Sequence, residues 1–357
     1  MMNVTAPDSY RFVVCDNDKV LGHSHAGFSR TAIDPPMKAA LLEDRLNIAS
    51  MSKTLTAAAV LSTLQAKNLS VDTLVAEFLP ASWVLHPLVQ TLTFRDFLTH
   101  RTGFNESTDR SDYEGIKLSF QQGPPNPAKA LYEYRNINFA AFRIILPYLN
   151  AYDRFAKLVS LHVPSTAQID QFLAKTYVNI VNERVLRPSG LPFATCDSKT
   201  LAPASNPSGR PVPKSSYLPV LMYEYKNPAF HGVDLGDSTL ICGAGGWSLS
   251  VVDYAKFLQT LLFTEIIISE KYRALMLAGE PLKNEGLGMN KDMSLAGTEV
   301  YSHGAWIPVG NAQVAGWYLY FKNTNLIVVA LSNAGHNPTQ PNWYTSVLNA
   351  YVQTYSN

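Results

Sequence analysis

The spacing of apolar positions changes character several times along the chain. From Tyr10 to Cys15 and from Val20 to Gly27, two short β-prone runs flank the polar turn cluster Asp16-Asn17-Asp18-Lys19, which predicts a hairpin at the start of a sheet. From Ser52 to Lys67 the period becomes helical. Leu55, Ala58, Leu61 and Leu64 recur at near-helical spacing, and Ala57-Ala58-Ala59 adds propensity. The stretch from about Val71 to Asp237 mixes shorter helical patterns with polar, proline-rich segments such as Gln122 to Pro127 and Pro203 to Pro213. Loops of that length in a compact protein tend to carry function, and these are expected to wall a substrate cleft.

Regular patterning returns towards the C-terminus. A glycine turn at Gly243 leads into a helix whose start is marked by Ser250 and Asp253, a capping-box variant ahead of Tyr254, Phe257, Leu258 and Leu261. Gly316 to Phe321 and Leu326 to Asn333 flank the turn Lys322-Asn323-Thr324-Asn325 and predict a second hairpin. Asn342 to Thr354 predicts a last helix, with Trp343, Val347, Tyr351 and Val352 as its apolar positions. Strands, a helical middle, strands and a helix imply a discontinuous α/β (α+β) architecture. A sheet domain is expected from residues 1–65 plus 238–357, and a mostly helical domain with long cleft-lining loops from 66–237. No internal repeat or low-complexity tract interrupts this order.

Composition narrows the class. With 357 residues and 46% hydrophobic content, the chain is long enough for one large domain or two closely joined ones around a well-buried core. The 29 basic and 28 acidic residues are scattered, so no charged footprint points to nucleic acid or an anionic membrane, and a small-molecule partner is expected. Cys15, Cys196 and Cys242 are odd in number and lack CxxC spacing, which fits neither a disulfide framework nor a zinc cluster; buried thiols are expected. Met1 to Tyr10 shows no basic segment followed by an apolar core, and no apolar run approaches the roughly 20 residues of a spanning helix. A cytoplasmic location without membrane insertion is the expectation. Oligomeric state is left open. The absence of HExxH, P-loop and dinucleotide fingerprints gives no reason to expect a metal or a cofactor. Gly246-Trp247-Ser248-Leu249-Ser250 begins like a nucleophile elbow but lacks the closing glycine, which disfavours an α/β-hydrolase.

Candidate chemistry starts at Ser50-Met51-Ser52-Lys53, where a hydroxyl and an amine stand three residues apart and project from one side of a starting helix. A lysine made neutral by burial can take the serine proton, and the helix N-terminus favours the developing negative charge. The stretch Leu46 to Ala57 around this pair resembles the nucleophile segment of the class C β-lactamase, DD-peptidase and related esterase superfamily. Further likenesses follow in order. Leu69 to Pro80 looks like the segment after the nucleophile helix, Leu92 to Gly103 looks like the family's "LLTHTSG" stretch, and Tyr134-Arg135-Asn136 matches its Tyr-x-Asn motif. Gly243 to Phe257 resembles its glycine turn and helix, and Ser302-His303-Gly304-Ala305-Trp306 stands where the family has Lys-Thr-Gly or a His-x-Gly variant.

The resemblance implies a β-lactamase/transpeptidase-like fold, an antiparallel sheet flanked by helices with a mostly helical insertion. It also implies a catalytic set of Ser50, Lys53 and Tyr134, with Tyr134 exchanging protons with Ser50 and the leaving group, and Asn136 holding Lys53 and the substrate. Backbone N–H groups of Ser50 and Trp306 would form the oxyanion hole on an edge strand, while Arg135 and Trp306 would shape the pocket. The third motif departs from the pattern: His303 replaces lysine and Ala305 replaces glycine, removing a fixed cation for a substrate carboxylate and adding a methyl beside the acyl site. Both changes favour an uncharged ester, amide or lactone. A Ser50 acyl-enzyme with esterase-type hydrolysis is the expected function. The alternatives are an acyltransferase using the same acyl-enzyme, β-lactamase or DD-peptidase activity, and a non-catalytic binding protein. His100 reads as a residue that holds a loop near the cleft.

Overall fold

The two terminal hairpins supply most of a single sheet. β1 (Tyr10–Cys15) and β2 (Val20–Ala26) pair antiparallel, with Arg11, Val13 and Cys15 buried on one face of β1. The computed structural model describes residues 9–126, 131–161, 165–198, 218–227, 229–278, 285–295, 298–334 and 343–355. Pro127, Pro203 to Pro213 and the side chain of Trp343, all singled out in the sequence, lie outside the described residues. Two short pairs follow: β3 (Phe28–Arg30) with β4 (Lys38–Ala39), and β5 (Leu46–Asn47) with β6 (Ser248–Leu249). The second ties the chain just before Ser50 to a segment far along the sequence.

α1 (Ser52–Ala66) begins where the helical spacing starts, but it is not amphipathic. Leu55, Ala57, Ala58, Ala59, Val60, Leu61 and Leu64 are buried, and so are Thr54, Thr56 and Thr63. The apolar spacing predicts the helix, and burial all round makes it the central helix of the molecule. The three buried threonine hydroxyls are all matched: Thr54 Oγ1 donates to the Gly288 carbonyl at 2.9 Å, Thr56 Oγ1 to the Gly243 carbonyl at 2.7 Å and Thr63 Oγ1 to the Ala59 carbonyl at 2.8 Å.

The middle of the chain is more regular than its proline-rich sequence suggested. It contains α2 (Phe94–Leu98), α3 (Tyr113–Gln122), α4 (Ile137–Ala140), α5 (Phe142–Leu161) and α6 (Thr166–Val181). α2 and α6 start in capping boxes, Thr93 with Asp96 and Ser165 with Gln168. α5 holds Pro147, which lacks a backbone donor, and it breaks at Ala151, where φ is −152°.

α7 (Val251–Phe263) starts at Ser250, whose hydroxyl accepts from the Asp253 N–H at 3.0 Å, and α8 (Glu270–Ala278) follows. β7 (Glu285–Gly286), β8 (Met289–Leu295), β9 (Thr298–Val309), β10 (Ala312–Phe321) and β11 (Leu326–Ser332) complete a seven-stranded antiparallel sheet in the order β2-β1-β11-β10-β9-β8-β7. Its faces are distinct. Tyr301, Tyr318, Val329 and Leu331 join the main core with α1 and α7, while Trp317, Leu319, Phe321 and Val328 pack with Leu348 and Tyr351 of α9 (Trp343–Tyr355). Leu348, absent from the apolar positions read in the sequence, is among the most buried of that helix. The fold is therefore an antiparallel sheet flanked by helices, as expected. Cys15, Cys196 and Cys242 are free and buried.

Two details position the site. First, the Ser302–Trp306 motif is not on a plain edge strand. β8 pairs with β9 only as far as Asn290↔Ser302, so β9 is interior up to that point, and among the described residues His303 to Val309 pair with β10 alone. Second, Gly288, in the turn between β7 and β8, adopts φ +77° against α1. A Cβ there would lie 2.4 Å from the Ala57 Cβ and 3.2 Å from the Lys53 carbonyl oxygen. Only glycine lets the sheet edge approach the helix this closely.

Candidate active site

Ser50 lies in a single 3-10 turn, Ala49–Met51, that runs directly into α1. Ala49 takes φ +46°, a left-handed conformation that alanine rarely adopts. Two hydrogen bonds hold it there: the Ala49 N–H donates to Asn47 Oδ1 at 2.8 Å, and the Ile48 N–H donates to the Trp247 carbonyl at 2.8 Å. Tyr254 adds a third anchor, its hydroxyl donating to the Met51 carbonyl at 2.9 Å. Local strain overdetermined by its surroundings is a mark of functional turns.

One turn further on, Lys53 is fully buried. Its Nζ lies 3.0 Å from Ser50 Oγ, 2.9 Å from Asn136 Oδ1 and 2.7 Å from the Ala244 carbonyl oxygen. Burial pulls the amine down from 10.5 to about 7, while the Asp109 carboxylate acts in the opposite sense. Asp109 is itself placed by the Ile137 N–H, which donates to its Oδ1 at 2.7 Å. The Tyr134 hydroxyl hydrogen-bonds Ser50, and its ring lies 5.0 Å from Lys53 Nζ. Burial pushes this phenol up to about 12, so it stays protonated at neutral pH.

His100 organises the segment that carries Tyr134 and Asn136. It sits at φ +57°, its carbonyl accepts from the Glu133 N–H at 2.9 Å, and its Nδ1 is 3.3 Å from the Arg135 N–H and 3.1 Å from Asn138 Nδ2. Its ring packs on Tyr134 with centroids 4.5 Å apart. The role read from sequence, holding a loop near the cleft, describes these contacts.

The β9 motif is divided between the two faces of the sheet. His303 and Ala305 are buried on the face that carries Tyr301, and the His303 ring lies 6.2 Å from that of Tyr134. Burial and Lys53 together push the His303 imidazole down to about 3. Trp306 points the other way: it is 63% exposed and its Nε1 donates to Gln313 Oε1 at 3.1 Å. The structure thus brings together Ser50, Lys53, Tyr134, Asn136 and His303, and sets the Trp306 indole apart from them. The reason is strand alternation, which leaves only the backbone of Trp306 near the cleft. Arg135 is committed to Glu133, with Nη2 2.9 Å from Oε1.

Sequence reasoning missed Asp109 and the Ala244 carbonyl. The glycine turn Gly243 to Gly246 was visible as a motif, but a backbone acceptor has no side-chain signature. Asp109 is one of many acidic residues and lies in no periodic pattern. Among the described residues there is no group of three or more His, Cys, Asp and Glu placed to hold a metal, and no helix long and apolar enough to cross a membrane.

Residues 9–160 match a protein-family model described as Beta-lactamase. The match spans the first strands, α1 and the segment that carries Tyr134 and Asn136, and the fold of the chain is that of the β-lactamases and penicillin-binding proteins. Superposition on solved structures of that fold reaches a TM-score of 0.67 in each of three cases. The octameric penicillin-binding protein homologue from Pyrococcus abyssi is 17% identical, with 98% of this chain and 74% of that chain covered. The class C β-lactamase from Rhodobacter sphaeroides is 15% identical, with 98% and 95% covered. The D-amino acid amidase from Ochrobactrum anthropi SV3, solved with L-phenylalanine amide, is 15% identical, with 99% and 96% covered. No curated protein sequence matches the chain. Against the Lys-Thr-Gly pattern of the resemblance drawn from the sequence, His303 and the Ala305 methyl are the departures.

Proposed function

We propose that the protein hydrolyses an uncharged carboxylic ester, lactone or amide through an acyl-enzyme on Ser50. The observation that carries this reading is the Lys53 amine, buried, lowered to about 7 and 3.0 Å from Ser50 Oγ. Neutral Lys53 takes the Ser50 proton as the hydroxyl attacks the carbonyl. Tyr134, protonated and bonded to Ser50, passes a proton to the leaving group, and Asn136 holds Lys53 in line. The N–H of Ser50 at the start of α1 and that of Trp306 on the free part of β9 would receive the oxyanion. Water then attacks the acyl group, releasing the acid and restoring Ser50.

The substrate preference rests on charge. A lysine in the third motif offers a cation to a carboxylate; His303, held neutral, does not. Arg135, ion-paired to Glu133, is a weak substitute. An amide substrate stays within the proposal, since the structural neighbours include amidases.

The test is intact-mass spectrometry after exposure to a fluorophosphonate, combined with turnover of p-nitrophenyl acetate, p-nitrophenyl butyrate and a chromogenic cephalosporin. Wild type should gain one label on Ser50 and turn over the neutral esters faster than the cephalosporin. Ser50→Ala should take no label and lose roughly a thousandfold or more of its turnover. An active, labelled Ser50→Ala protein overturns the reading.

A further inference from the structure

Beside Tyr134 lies a small, partly open cavity bounded by His100, Tyr132, Glu285, Asn290 and His303. Its two imidazoles carry their hydrogens on opposite nitrogens. Nδ1 of His100 faces the Arg135 N–H and the Asn138 amide. A backbone N–H can only donate. The Asn138 Oδ1 accepts from the Thr102 hydroxyl at 2.5 Å, so the NH2 side of that amide is the one facing His100. Nδ1 of His100 is therefore an acceptor, and its hydrogen is on Nε2. His303 is the reverse. Its Nδ1 is 2.9 Å from the Gly304 carbonyl oxygen, which can only accept, so its hydrogen is on Nδ1 and Nε2 keeps the lone pair.

Burial and the Lys53 charge outweigh the hydrogen bonds at Arg135 and Gly304 and leave both rings uncharged. Lys53 on α1 disfavours a proton on either ring, and each ring is buried. Tyr132 and Tyr134 are held protonated by burial. Glu285 on β7 is matched by the Arg101 guanidinium through two bonds of 2.9 Å. A donor and an acceptor thus border one cavity of mixed polar and apolar lining, and a water needs two to four polar partners to settle in such a place.

We propose that a water in this cavity accepts the Nε2–H of His100 and donates to Nε2 of His303, joining the two rings into one positioning unit for Tyr134. The unit also explains how a histidine can stand in the third motif without bringing a charge. His100 fixes the Tyr134–Asn138 segment, and the water gives a donor to the Nε2 lone pair that the Gly304 carbonyl leaves on His303. A His303 held as an acceptor keeps the cleft wall neutral, which deepens the proposed preference for uncharged substrates and rests on that reading for its kinetic consequence.

Two measurements test it. In protein labelled with 15N-histidine and assigned through the backbone, two-bond correlations should show His100 as the Nε2–H tautomer and His303 as the Nδ1–H tautomer from pH 5 to 8. In His303→Gln the Nε2 resonance of His100 should shift. Both rings in one tautomer, or a His100 resonance indifferent to His303→Gln, overturns the proposal without any need for activity. The kinetic arm follows decay of the Ser50 acyl-enzyme by intact mass in His100→Gln, His303→Gln and the double variant. Each single change should slow decay about tenfold with fluorophosphonate labelling retained, and the double should match the slower single within about twofold, as coupled residues do. Multiplicative losses overturn the pairing. Failure of the wild type to take the fluorophosphonate overturns the acyl-enzyme reading instead, and the tautomer spectra then decide the pairing alone.

Discussion

Lys53 sets the pH behaviour expected of the site. Since the neutral amine is the active form, kcat/KM for a neutral ester should rise with pH through about 7 and level off above it. Asp109 raises the affinity of Lys53 for its proton, so Asp109→Asn should move that limb to lower pH, a shift read directly from a pH–rate profile. Stability follows the same group. Its pKa is 10.5 unfolded and about 7 folded, so between those values the unfolded chain binds more protons and stability rises with pH. Below about 7 both states carry the proton and the cost of the buried charge is constant. Lys53→Met removes this dependence. Thermal melts should therefore show the variant more stable than wild type near pH 7, with the gap narrowing towards pH 10. At this scale the sequence was informative where spacing is short: Ser50 with Lys53 and Tyr134 with Asn136 each lie within four residues. Asp109 and the Ala244 carbonyl join the site through tertiary contacts alone, so no local pattern could name them.

Among the elements, α1 and the β7–β8 turn define the floor of the cleft. Gly288→Ala would drive a methyl into Ala57 and force a left-handed backbone on alanine. Overpacking of this kind costs about 1–3 kcal/mol, so a lower Tm is expected, together with slower labelling of Ser50 as the Lys53 turn is displaced. The two hairpins and the start of α7 were legible because turn residues and caps act within a few positions. The all-round burial of α1 was not. Its apolar spacing is that of a half-buried helix, and the threonines that complete the buried surface read as polar until their carbonyl partners on distant segments are known. The exact placement of β9 was equally hidden. Whether a strand is edge or interior depends on the reach of its neighbour, and the pairing of β8 with β9 runs out at Asn290.

In the whole molecule, sheet and helices meet at the active site and are fastened there. Arg101, just after α2, grips Glu285 on β7 with two hydrogen bonds, both groups largely buried. Arg101→Ala should cost about 3 kcal/mol, as loss of one partner from a buried pair does, and calorimetry should show it as a lower Tm. The same joining of distant parts has a consequence for which way hydrogens point. A neutral amine owns two hydrogens and one lone pair, yet Lys53 touches three oxygens. The Asn136 and Ala244 oxygens have no hydrogen to give, so both must receive one. The lone pair is left facing Ser50, whose hydroxyl alone can turn round and donate. Loss of one proton from Lys53 thus reverses a single contact, and the folded chain, through an amide from its helical middle and a carbonyl from its glycine turn, has already chosen which.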